Sequence, residues 1–128
     1  MEEDAISIVN YNLYFMYVPN YDITVGKLSL MIYSLASESG DARMRLFNTM
    51  VECSPLFAED FPPELGKEWD EFYTTITDYE GENNRLQRSI FNKRNTICIK
   101  LIKKLINIHI ELKSHQEQYA YYYNQFNK

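Results

Sequence analysis

Two histidines, two cysteines and several paired carboxylates are the side chains of this 128-residue chain with the richest potential chemistry. Their spacing decides what they can do. His109 and His115 stand six residues apart, about 240° around a helix, so one metal ion does not readily take both. Glu111 and His115 are four apart and can pair on one helical face, but they supply two ligands where zinc takes three or four. The expectation is structural histidines, with no metal and no cofactor.

Nucleophilic catalysis would need Cys53 or Cys98 as a thiolate beside a base. Cys98 stands among isoleucines, where burial disfavours the anion. Cys53, just before Ser54 and Pro55, has an acidic flank that raises its pKa rather than lowering it. The carboxylate pairs Glu59/Asp60 and Glu68/Asp70/Glu71 read as solvated faces, because acid–base work needs one carboxyl in an apolar pocket and the other in water. There is no glycine-rich phosphate loop, no GxSxG and no Walker signature. The chain is read as having no catalytic residues and as not being an enzyme.

Charge is the stronger signal. Residues 1–83 hold sixteen Asp/Glu against four Lys/Arg, and residues 84–128 hold nine Lys/Arg against two Asp/Glu, inside an overall net charge of −5. The stretch RLQRSIFNKRNTICIKLIKK offers Arg85, Arg88, Lys93, Arg94, Lys100, Lys103 and Lys104 as phosphate contacts, with Phe91 as a stacking surface. Against nucleic-acid binding stands the acidic remainder and a pI near 5.0. Two other readings are open. The lysines can meet the chain's own acidic helix, with Glu64, Glu68, Asp70 and Glu71, or the acidic half can imitate nucleic-acid phosphates and block a basic enzyme, as a small phage or mobile-element inhibitor would.

Eleven tyrosines supply contact area with a polar tip. They cluster at Tyr11, Tyr14, Tyr17 and Tyr21, and again at Tyr119, Tyr121, Tyr122 and Tyr123, with Phe126 close behind. These termini are the candidate protein interface, or else satellite packing on the body. The function expected is a non-catalytic protein–protein interaction module, an adaptor or accessory subunit that binds another protein or itself as an oligomer. No small-molecule substrate is expected.

The elements that must position these residues are helices. Four Gly and four Pro leave little room for linkers, and 128 residues suffice for one core and a single domain, 1–128. Thr24 can cap a helix through VGKLSLMIYSLASES, with Leu28, Met31, Ile32 and Leu35 inward and Gly40 as its stop. Asp41 caps ARMRLFNTMVECS, whose inward face is read as Met44, Phe47, Met50 and Val51, and the two helices form a hairpin. FPPELGKEWDEFYTTIT carries prolines in its first turn and buries Leu65, Trp69, Phe72, Tyr73 and Ile76. Gly81 to Asn84 make a break, with Asn84 as cap. One long helix runs from Arg85 to about Gln116, bent near Asn95, with polar Lys93, Thr96, Lys100, Lys103, Lys104, Asn107 and Glu111 on a narrow stripe and apolar residues over the remainder.

The whole is an all-α bundle of four to five helices around that long C-terminal helix. The N-terminal segment 1–22 fits helix or strand, helix being preferred over residues 5–18, and the tail 117–128 is extended if the start is. An acidic N-terminus and lysines inside the greasiest run argue against export or membrane spanning, and two isolated cysteines suit a reducing compartment, so cytoplasmic residence is expected. Abundant Ile, Asn, Lys and Tyr fit an AT-rich genome of bacterial or phage kind.

Overall fold

The computed structural model describes residues 20–81 and 83–126, apart from the side chains of Tyr119, Tyr122, Tyr123 and Phe126. Among them are five α-helices and no strand: α1 (Asp22–Ser37), α2 (Ala42–Glu52), α3 (Pro63–Ile76), α4 (Arg85–Phe91) and α5 (Asn95–Phe126), with a 3-10 turn at Ala58–Asp60. The chain is an all-α helical bundle, and α5 touches α1, α2 and α3. The choice between helix and strand for residues 5–18 falls outside the described residues.

α1 begins two residues before Thr24. Asn20 Oδ1 accepts from the Asp22 amide at 2.9 Å, and Gln116 Oε1 of α5 accepts from the Tyr21 amide at 3.0 Å. With these first donors satisfied upstream, Thr24 is no cap. It lies buried inside the helix, and its hydroxyl donates to the Asp60 carbonyl at 2.9 Å. At the other end the chain reverses through Gly40, whose φ of 101° belongs to the left-handed region. Asp41 then caps α2 as expected, accepting from the Met44 amide at 3.0 Å. That bond, followed by the Arg43 guanidinium, holds the Asp41 carboxyl below its usual range.

The inward face of α2 differs from the expected one. Leu46 and Thr49 are fully buried, Phe47 and Met50 are partly so, and Met44 and Val51 are exposed. Thr49 belongs to the core because its hydroxyl donates to Ser34 Oγ at 3.0 Å, which satisfies the polar atom that burial would otherwise strand. Counting only apolar residues turned the helix the wrong way.

α3 supplies the centre. Trp69 is buried with its indole N–H donating to the Leu56 carbonyl at 3.1 Å, and the rings of Phe61 and Phe72 stand 5.5 and 5.4 Å from it. Leu65, Phe72 and Ile76 are buried as the periodicity requires. Tyr73 is not: it stacks on the outer edge of Trp69 and stays half exposed. Gly66 faces the 3-10 turn so closely that a Cβ there would lie 2.5 Å from the Ala58 carbonyl oxygen.

The helix expected from Arg85 onward is two helices. Asn84, at φ 56°, precedes α4 without a side-chain cap bond, and α4 ends at Phe91. Two tertiary interactions hold the break at Asn92–Arg94. The Lys93 ammonium donates to both carboxylate oxygens of Asp78 at 2.9 Å and to the Ser89 carbonyl at 3.2 Å. Asn95 Oδ1 accepts from the Ala42 amide at 2.9 Å, so it serves the first turn of α2 rather than its own helix. From there α5 runs 32 residues, about 48 Å at 1.5 Å per residue. Cys98, Leu101, Leu105, Ile108 and Leu112 form its buried seam, while Ile97, Ile99 and Ile110 are exposed, so its apolar cover is narrower than its composition suggested. The backbone of the tail is helical to Phe126, so the extended alternative for it does not hold over residues 117–126.

Candidate functional site: the outer face of α1

Of the candidate chemistry, the cysteines sit as the sequence implied. Cys98 is fully buried with Sγ 3.9 Å from the Ile90 carbonyl, and burial pushes its thiol up against the weaker pull of Lys93 and Arg43. Cys53 is half-buried, and burial followed by the Glu52 charge raises it too. Neither environment favours a thiolate.

His109 is half-buried where α5 faces α1, its Nε2 3.0 Å from Ser29 Oγ. The Ser29 hydroxyl donates to the Val25 carbonyl at 2.9 Å, so it accepts from the histidine and places the proton on Nε2. Burial, then the neighbouring Lys113, lowers the pKa of His109. His115 does not pair with Glu111. Its ring meets Tyr21 edge-on at 5.6 Å, and its buried Nδ1 has no hydrogen-bond partner among the described residues. It lines a shallow groove of about 710 Å³ with Pro62, Pro63, Leu65, Ile110 and Ser114. Among the described residues no three His, Cys, Asp or Glu side chains converge as metal ligands.

The basic segment is partly engaged by the fold. Besides the Lys93–Asp78 pair, Arg88 donates to the Tyr79 hydroxyl at 2.7 Å with its guanidinium 5.2 Å from that ring's centre, and Lys104 pairs with Glu71 at 3.2 Å. Among the described residues, two ion pairs therefore join the acidic and basic halves of the chain, through Asp78 and Glu71. Arg85, Arg94, Lys100 and Lys103 remain exposed, as do Glu64 and Asp70, with Glu68 half-buried. One acidic contact was not legible in the spacing: a hydrogen bond with Glu38 and its like charge raise the carboxyl of Glu52 across the α1–α2 hairpin.

Of the tyrosine clusters, Tyr11, Tyr14 and Tyr17 fall outside the described residues, as do the side chains of Tyr119, Tyr122, Tyr123 and Phe126. Tyr121 is exposed, and Tyr21 is buried against His115.

What the sequence reading missed lies on α1. Thr24, Leu28, Met31 and Leu35 face the core, while Ile23, Leu30 and Tyr33, on the opposite side, are 76%, 65% and 72% exposed. With Gly26 they recur at three- and four-residue spacing, which makes one straight seam. An added Cβ at Gly26 would meet nothing within 4 Å. A helix apolar on both sides is usually covered on both. The signal was present in the spacing of 23, 26, 30 and 33, but only the inward stripe was sought.

No protein-family model, curated protein or solved structure matches the chain. No helix among the described residues is long and apolar enough to cross a membrane.

Proposed function

We propose that this chain is a non-catalytic protein-interaction module. The observation that carries the reading is the outer face of α1, where large apolar side chains stand in water on a well-packed helix. Side chains such as Ile, Leu and Tyr contribute most to association when a partner removes them from water, and an ordered helix presents them without further loss of backbone entropy. The engagement of Lys93, Arg88 and Lys104 within the fold also favours this reading over nucleic-acid binding, because it leaves four of the seven cations for phosphates.

Affinity capture from host extract, at low and high salt and with nuclease, tests it. A protein retained through high salt and nuclease by the natural chain, and lost with Leu30→Glu, is the expected result. Recovery of nuclease-sensitive material alone, released by salt and by Lys100→Glu with Lys103→Glu, would replace the reading with nucleic-acid binding.

A further inference from the structure

The exposed seam of α1 has the pattern of one strand of a coiled coil. Ile23, Gly26, Leu30, Tyr33 and Ser37 fall at alternating three- and four-residue steps, the positions conventionally lettered a, d, a, d and a. Asp22 and Lys27 are the only charged residues of α1, and they flank this seam on opposite edges: Asp22 just before Ile23, Lys27 just after Gly26. The two lie 140° apart around their own helix and cannot pair with each other.

In a parallel pair of such helices the edge residue before an a position lies beside the partner's edge residue five places further along. That is the separation of Asp22 from Lys27. We infer that α1 pairs in parallel with α1 of a second copy of this chain, Asp22 of each copy meeting Lys27 of the other. The inference rests on the interaction-module reading and names its partner.

Other features of α1 fit this occupant. Gly26 falls at the seam, where the absence of a side chain lets two helix axes approach closely. A net-neutral helix also adds no like-charge repulsion of its own to the pairing of two copies that each carry −5. The seam is short, so the dimer is a concentration-dependent one rather than a permanent one.

Sedimentation of the full chain across a concentration series tests the pairing, with circular dichroism confirming that each variant keeps its helices. The mass should climb from monomer toward dimer, and Leu30→Glu with Tyr33→Glu should hold it at monomer. Asp22→Lys and Lys27→Asp should each weaken the dimer several-fold, and the two together should restore it. A dimer indifferent to Leu30 and Tyr33 would overturn the face. Dependence on those residues without rescue by the double exchange would overturn the parallel register.

A monomer at every concentration would overturn the pairing itself. If that monomer still captured a foreign protein through Leu30, the interaction-module reading would stand. If it captured none, both would fall.

Discussion

The basic segment around α4 and the outer face of α1 differ in what the fold does with them. Lys93 and Lys104 reach Asp78 and Glu71, and Arg88 reaches Tyr79, so much of the most conspicuous charge joins one part of the chain to another. Ile23, Leu30 and Tyr33 carry no charge and, among the described residues, meet no such partner, yet they stand largely in water. A surface pair contributes about 0–1 kcal/mol, whereas burying a side chain the size of leucine contributes about 1.5–3 kcal/mol. The quieter region therefore has more to offer a partner.

The sharpest way to break this comparison is along α1 itself. Leu28→Ala, on the inner side, should cost about 2–5 kcal/mol in urea unfolding, while Leu30→Ala, in dilute protein, should stay within about 0.5 kcal/mol. Equal losses would mean that the outer face is already covered. The two helical glycines give the next contrast. Gly66→Ala drives a methyl into the Ala58 carbonyl and should destabilise by about 1–3 kcal/mol, and Gly26→Ala, with open space before it, should stabilise by up to about 1 kcal/mol.

The lysines come third. Lys93 is mostly buried with three acceptors, so Lys93→Met should cost about 1–2 kcal/mol, against about 0–1 for the more exposed Lys104→Met. The smallest effect is that of pH. Protonation opposes the fold at His109, whose pKa lies below the ordinary 6.5, so its contribution to stability is flat above about pH 6.5 and declines as the pH falls below it. His109→Gln should flatten that part of a melting-temperature profile, and an unchanged slope would assign it to other groups.

Much of the fold could be read from local signals. Asp41 as a cap and the stripe Leu65–Trp69–Phe72–Ile76 are decided within a few residues of themselves, and the structure keeps both, whereas α1 already ends at Ser37, before the left-handed turn at Gly40. What was not legible depends on distant partners. The break before α5 exists because Lys93 is held by Asp78 and Asn95 is drawn to α2, contacts across 15 and 53 residues. The face of α2 is set by Thr49 against Ser34, a polar pair that hydrophobic periodicity does not count. Similarly, α3 was one of several partners open for the lysine stripe, and among the described residues only Glu71 of the four named carboxylates takes part in an ion pair, while Lys93 pairs with Asp78 beyond the end of that helix. The outer seam of α1 was visible in the spacing, though that spacing alone does not say which side of a two-sided helix the core takes.

The clasp between Asn20, Tyr21 and Gln116 bears on the order of assembly. It joins residues 95 and 96 positions apart, so closing it costs more loop entropy than a contact between helices adjacent in sequence. Because one of its hydrogen bonds is exposed and the other only part-buried, it is expected to close late in folding and to open early in the native protein. The amide hydrogen of Tyr21 should then exchange with solvent through a small local opening, while that of Leu105 in the buried stretch of α5 waits for the bundle to unfold.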